Sequence, residues 1–275
     1  MHKRVGIVCF LALFLAVAGM VTAANAAAVR TGLFDGNVLG ANDDGSTGLV
    51  NIGFTANFFG NTHSQLYVNN NGNVTFDYAL STYTPYGITG GSLAMLAPFF
   101  ADVDTRSGNE VTYGQDLLGG LNAFGVNWID VGYYSQHTDL LNSFQLVLID
   151  RSDIGAGDFD IEFNYDQILW ETGDASDGTG GMGGDSAHAG WTNGIGDYYE
   201  FAGSGVNGAL LDGGAYALTE SSNVGVEGRY LFTVRNGAVA PIDPIRPVAT
   251  PEPSTFLLLG AGLLGLLGIA RKRFA

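Results

Sequence analysis

The chain has 275 residues and is acidic, with 27 Asp and Glu residues against 11 Lys and Arg and a formal net charge of −16. Such a surface repels polyanions, which excludes nucleic acid as a partner. The single cysteine, Cys9, rules out a disulfide framework and a zinc site built on several cysteines.

Residues 1–26 have the pattern of a secretory signal peptide. A basic start is followed by a long apolar stretch and then by small residues, the order that export signals share. We expect cleavage after Ala26 or after Ala28, and the sequence leaves this choice open. Cys9 lies inside the apolar stretch and would be lost with it.

Residues 27–250 hold six arginines, no lysine and 26 acidic residues, a formal charge of −20. This length suits one large domain, for which we expect the bounds 29–236. An acidic exported surface favours solubility. It also suits cation-bridged contacts with acidic polysaccharide, or calcium uptake.

The central region shows the two-residue period of β-strands. Leu66 and Val68 alternate with Tyr67, the run Asn70-Asn71-Gly72 favours a tight reversal, and the alternation then resumes, which predicts a hairpin. No helical period lasts three turns between residues 40 and 235, so the predicted fold is all-β, an antiparallel β-sandwich. Further strands are predicted at 96–103, 123–131, 144–149, 159–168 and 229–234.

Two parts of this region are predicted to face solvent. Between 159 and 165 the odd positions are apolar, while Asp160, Glu162 and Asn164 alternate with them and should form a wet face. The glycine-rich stretch 173–197 is predicted to be a long solvated loop.

Several stretches of the central region resemble the nidogen-like (NIDO) domain. They follow the family's order over residues 45–234 and lie at 60–76, 97–106, 126–134, 144–149, 159–163, 168–173 and 189–191. The resemblance implies an extracellular domain associated with adhesion and matrix, without an established catalytic role. The identity of a partner does not carry over, because the animal proteins bind partners through extra modules that are missing from this sequence.

Asp102 and Asp104 are the candidate metal ligands, and calcium is the cation considered. Carboxylates two residues apart at a strand end can converge on a hard cation. The pattern is not an EF-hand, since Arg106 occupies the position of a third oxygen ligand. The alternative is that Asp104 accepts bonds from a turn and pairs with Arg106. No other cofactor is expected.

Two further functions remain as alternatives. A polysaccharide hydrolase could use a carboxylate pair such as Asp160 and Glu162, although such coincidences are expected among so many acids. The histidines show no zinc-like spacing. A carbohydrate-binding module could stack sugars on aromatic side chains; the candidates are Tyr133, Tyr134, Tyr198 and Tyr199.

The last part of the chain has three components in a fixed order. After a proline-containing linker at 237–250 come Pro251, Glu252 and Pro253, an apolar helix predicted at 255–270, and the basic residues Arg271, Lys272 and Arg273. The helix would cross a membrane, with the basic residues on the cytoplasmic side.

Residues 251–275 resemble the PEP-CTERM sorting signals of exported bacterial proteins. The resemblance implies recognition by an exosortase, which cuts near the motif, so that Pro251, Glu252 and Pro253 would be a substrate site. The alternative is an ordinary membrane anchor with a proline-rich stalk. We therefore expect a non-catalytic exported protein, membrane-anchored at first and then located at the cell surface or in the extracellular matrix. Exopolysaccharide or matrix proteins are the other expected partners.

Replacing Glu252 with Ala should leave export intact and block C-terminal processing, because the residue lies between the two motif prolines. Intact mass of the protein recovered from the host reads this out directly. Asp243→Ala, which removes an acid that precedes a proline outside the motif, is the control and should be processed normally. A Glu252→Ala protein with the same mature mass as the wild type, apart from the substitution, would rule the motif out.

Overall fold

The structure is a computed structural model that describes residues 27–241 and 245–247. The predicted signal peptide at 1–26 and the predicted sorting segment at 251–275 lie outside these residues.

The described residues form sixteen strands and two short 3-10 helices, at Ile88–Gly90 and Asp174–Ser176. The strands are β1 (Asn37–Leu39), β2 (Val50–Phe58), β3 (Asn61–Asn69), β4 (Asn73–Thr75), β5 (Met95–Phe100), β6 (Val103–Asp104), β7 (Val111–Leu118), β8 (Leu121–Tyr133), β9 (His137–Asp150), β10 (Phe159–Gln167), β11 (His188–Thr192), β12 (Tyr198–Glu200), β13 (Ser221–Ser222), β14 (Arg229–Arg235), β15 (Ala238–Val239) and β16 (Arg246–Pro247).

Two antiparallel sheets make up the fold. One has eight strands in the order β1-β7-β8-β9-β10-β14-β15, with β6 also paired to β8, and the other has six in the order β12-β11-β5-β4-β3-β2. β13 and β16 form a separate pair. The prediction of an all-β, antiparallel fold is confirmed. β15 and β16 lie within the predicted linker.

Aromatic side chains fill the space between the two sheets. Phe99 of β5 packs against Phe144 of β9 with ring centroids 5.4 Å apart, and Phe144 stacks on Trp128 of β8 at 5.2 Å. All three rings are buried. Contacts of this kind add to the burial of large apolar areas and hold the sheets together as a sandwich.

The predicted hairpin is confirmed, with β3 and β4 paired from Tyr67–Thr75 to Asn69–Asn73. The other predicted strands correspond to β5 with β6, and to β8, β9, β10 and β14. The strand predicted at 96–103 is interrupted at Ala101 and Asp102, between β5 and β6. This interruption places the Asp102 side chain at the edge of the core.

The prediction of a wet face on β10 is wrong. Asp160, Glu162 and Asn164 are 4%, 3% and 0% exposed. Arg30, from the segment before β1, forms an ion pair with Glu162 at 2.6 Å, and Arg235 pairs with Asp160 at 2.7 Å. These arginines cover the polar face of β10 and compensate its charge. Alternation of apolar and polar residues along a strand therefore does not show whether its polar face is covered or exposed to solvent.

The prediction of a solvated loop at 173–197 is wrong for part of this stretch. β11 lies between β5 and β12 in the six-stranded sheet, and Ala189 and Trp191 are buried. A Cβ on Gly190 would overlap the carbonyl oxygen of Tyr199. Glycine is therefore needed at position 190 because the neighbouring strand lies so close. The sequence prediction instead interprets the glycines of this stretch as a sign of a loop.

Gly72 of the predicted hairpin should be harder to replace than Gly119 of the turn between β7 and β8. Its φ is +72° and an added Cβ would overlap the carbonyl oxygen of Phe99, whereas Gly119, with φ +61°, has open space around it. Gly119→Ala should therefore cost only the left-handed backbone penalty of roughly 1–2 kcal/mol, and Gly72→Ala about 2 kcal/mol more because of the overlap. Urea unfolding of the full-length variants measures both. Equal losses would show that the contact with Phe99 does not constrain the turn.

Candidate metal centre

The turn between β3 and β4, residues Asn70–Gly72, is buried and is called the polar turn below. The side-chain amide nitrogen of Asn70 (Nδ2) donates to the backbone carbonyl oxygens of Asp43 and Val103, both at 2.5 Å. The backbone oxygen of Asn70 accepts the indole N–H of Trp128 at 2.9 Å. The side chain of Asn70 thus connects the loop after β1 with β6, and the backbone of Asn70 is bonded to Trp128 of β8.

Asn71 makes a second set of connections from the same turn. Its amide nitrogen donates to Oδ1 of Asp44 at 2.8 Å, and its side-chain oxygen accepts the backbone N–H of Val103 at 3.1 Å. Asn70 and Asn71 are 0% and 1% exposed. Their hydrogen bonds are therefore shielded from water and fix the neighbouring loops firmly.

The loop after β1 is also held from its own side. Asn42 and Thr105 exchange hydrogen bonds, from the Asn42 N–H to Thr105 Oγ1 at 3.0 Å and from the Thr105 N–H to the Asn42 carbonyl at 2.9 Å. The side-chain oxygen of Asn42 accepts the N–H of Gly45 at 2.6 Å. Asp43 and Asp44, between these residues, are consequently held in a defined position.

Asp43, Asp44 and Asp102 form what we call the carboxylate cluster. Each offers one carboxylate oxygen, and these oxygens lie within 4.8 Å of one another. Asp102 is 1% exposed. Its Oδ2 is buried without a hydrogen-bond partner among the described residues, and so is Oδ1 of Asp43. The oxygen-only chemistry of this group suits a hard cation.

Burial and neighbouring carboxylates shift the pKa values of Asp102 and Asp43. Burial raises the pKa of Asp102 to about 8, with further contributions from Asp43, Asp44 and other nearby carboxylates. Burial and the neighbouring carboxylates likewise raise the pKa of Asp43 to about 6, although Arg106 opposes this shift. Both shifts have the same physical cause, the cost of holding several negative charges close together away from water.

The two sequence-predicted ligands lie in different surroundings. Asp104 is buried and accepts hydrogen bonds from Arg106 at 2.9 Å (Nε), 2.5 Å (Nη2) and 3.0 Å (backbone N). Burial raises its pKa, but these bonds more than offset that effect, so that the pKa lies below its usual value. The alternative interpretation of Asp104, a turn acceptor paired with Arg106, therefore agrees with the structure, and Asp102 is the residue that joins the cluster.

Sequence reasoning missed Asp43 and Asp44. The run Asn42-Asp43-Asp44-Gly45 has the composition of a turn that presents carboxylates, and this was the available signal. Its proximity to Asp102 depends on the polar turn, a contact between residues far apart in the sequence.

The other candidate residues do not form a common site. The carboxylates of Asp160 and Glu162 are engaged by arginines, as described above. Tyr133 is fully buried and Tyr199 packs against Phe201 at 5.1 Å. Of the four tyrosines considered for sugar stacking, Tyr198 is the most open, with 49% of its surface exposed.

The candidate sorting residues lie outside the described part of the chain. These are Pro251, Glu252, Pro253, Arg271, Lys272 and Arg273. Within residues 27–241 and 245–247, no helix has both the length and the apolar character needed to cross a membrane.

Comparison with known proteins agrees with both sequence resemblances. Residues 64–119 and 118–236 match the nidogen-like domain, and residues 249–273 match the PEP-CTERM protein-sorting motif. No solved structure gives a significant match.

Proteins similar to this chain include two animal proteins. The chain is 32% identical to alpha-tectorin of Mus musculus over 226 residues, which covers 72% of this chain and 10% of that protein. It is 28% identical to nidogen of Drosophila melanogaster over 239 residues, 76% of this chain and 16% of that protein. The chain thus spans only a small part of these relatives. It belongs to the nidogen-like domain family and carries a PEP-CTERM protein-sorting motif, which marks it as an exported protein sorted to the cell surface.

Proposed function

We propose that this protein is a non-catalytic adhesive component of the cell surface or extracellular matrix, released from its membrane anchor by an exosortase. The observation that carries the proposal is the combination of a nidogen-like domain with a PEP-CTERM motif in one chain. The motif would direct the protein to the cell surface and to exosortase processing. The nidogen-like domain would provide the surface that binds a partner. Exopolysaccharide of the producing cell is the proposed binding partner.

The carboxylate pair considered for a hydrolase, and one carboxylate of the main cleft, are engaged in the fold. Catalytic acids and bases need a free oxygen within reach of a substrate. Glu162 and Asp160 are instead held in ion pairs. A cleft of about 400 Å³ is lined by Asp35 and Asp166, among others, but Oδ1 of Asp166 accepts the backbone N–H groups of Ala28 and Val29. These arrangements stabilise the fold.

Exposed side chains in the segment between β11 and β13 support a binding role. Tyr198 and Tyr216 in this segment are 49% and 54% exposed, and Ile195 is 80% exposed. Exposed aromatic rings can stack on the apolar faces of sugar rings. A carbohydrate-binding function is therefore the form of adhesion that this domain supports best, and a hydrolase is the competing alternative.

Sedimentation of the full-length protein with exopolysaccharide from its host tests this function. We expect retention without release of reducing sugar, and a reduction of about tenfold in affinity for the double variant Tyr198→Ala and Tyr216→Ala, since one stacked ring contributes roughly 0.5–1.5 kcal/mol. Tyr83→Ala, which removes a 41% exposed tyrosine from another loop, is the control.

Absence of binding to exopolysaccharide and to whole host cells would contradict the adhesive role. Release of reducing sugar would instead establish the hydrolase.

A further inference from the structure

We propose that the carboxylate cluster of Asp43, Asp44 and Asp102 binds a calcium ion. The site would lie where the loop after β1, the polar turn and the bend between β5 and β6 meet. It shares Asp102 with the sequence prediction and replaces Asp104 with Asp43 and Asp44. It is independent of the polysaccharide binding proposed above.

The geometry of the cluster fits calcium. Calcium lies about 2.3–2.6 Å from its oxygen ligands, so two ligands on opposite sides of the ion are roughly 5 Å apart. The three carboxylate oxygens lie within 4.8 Å of one another, a spacing that suits three ligands of one such ion. Magnesium is less suited, because its shorter bonds of about 2.0–2.1 Å demand a stricter octahedral arrangement.

The unpartnered oxygens provide an independent argument. Buried polar atoms normally have a hydrogen-bond partner, and leaving a charged one without a partner is costly. Oδ2 of the almost completely buried Asp102 and Oδ1 of Asp43 have none among the described residues. A cation between the two carboxylates would satisfy both oxygens at once.

The charges around the cluster are also unbalanced. Arg106 lies 3.2 Å from Oδ2 of Asp43 but is bound more closely to Asp104, at 2.5 Å. Arg106 thus pairs with Asp43 and Asp104, and among the described residues no salt bridge reaches Asp44 or Asp102. A divalent cation would balance these negative charges.

The surrounding structure keeps the cluster in place. Asn71 donates to Oδ1 of Asp44 and thereby leaves its second oxygen available. A Cβ on Gly173 would overlap the Asp102 carboxylate, so glycine at this position allows the carboxylate to lie where it does. A site held this firmly loses little conformational entropy when it binds an ion.

Thermal unfolding of the full-length protein, first stripped with EDTA, tests the proposal. Adding 2 mM calcium should raise the Tm of the wild type by about 5 °C, as expected for an ion present at about 20 times its Kd. Asp102→Asn keeps the shape of the side chain and should abolish this rise. Asp185→Asn, which neutralises an exposed acid outside the cluster, should respond like the wild type.

The Tm in EDTA separates loss of the ligand from loss of the fold. Asp102→Asn should be about as stable as the wild type there, because the substitution keeps the shape of the side chain. If it is not, Asp44→Asn, at a half-buried position, carries the same test. A wild type that does not respond to calcium, or variants that keep the full response, would overturn the site.

We also infer that the signal peptide is cleaved after Ala26. Water would hydrolyse the peptide bond between residues 26 and 27, leaving a carboxylate on Ala26 and a new amino group on Ala27. The inference rests on Ala28, which is buried in the domain and hydrogen-bonded to it. Ala28 is 2% exposed, its N–H donates to Oδ1 of Asp166 at 2.7 Å, and its carbonyl accepts from Nη2 of Arg229 at 2.6 Å.

Cleavage after Ala28 would remove these contacts. Arg229 is largely buried, with 17% of its side chain exposed, and would lose an acceptor. Cleavage after Ala26 instead leaves an exposed residue, Ala27, in front of the first buried one. N-terminal sequencing of the exported protein should therefore begin at Ala27. A protein that begins at Val29, or one that keeps residues 1–26, would overturn the inference.

Discussion

The hydrogen bonds of Asn70 and Asn71 are the constraint on which the rest of this structure depends. Two buried amides in one turn connect the loop after β1, β6 and, through Trp128, the opposite sheet. Each bond contributes only about 1 kcal/mol when made, but a buried donor left without its acceptor costs more. The sandwich therefore has one permitted arrangement at this end, and that arrangement brings three carboxylates together.

Local pattern explains which parts of the fold could be predicted. The alternation of Leu66 and Val68 and the turn glycine Gly72 are short-range signals, and the hairpin they predict is present. The polar face of β10 could not be identified as buried, because its partner Arg30 is 132 residues from Glu162. Of the two predicted metal ligands, Asp102 lies in the carboxylate cluster and Asp104 does not. Asp43 could not be predicted, because only the polar turn brings it close to Asp102.

Calcium binding would fit an exported protein of this composition. Residues 27–250 carry 26 acids against six arginines, so the folded state has a charge to offset. Extracellular modules typically bind calcium with Kd values of about 10⁻⁴–10⁻³ M. A nidogen-like domain with such a site would gain stability outside the cell, where sorting through the PEP-CTERM motif delivers it.

A crystal structure of the protein grown with calcium is the most direct measurement. The account predicts one anomalous peak between the polar turn and the bend after β5, about 2.3–2.6 Å from oxygens of Asp43, Asp44 and Asp102. It also predicts that Asp104 remains bound to Arg106. A structure with calcium at other acidic residues and none in this cluster would contradict the account.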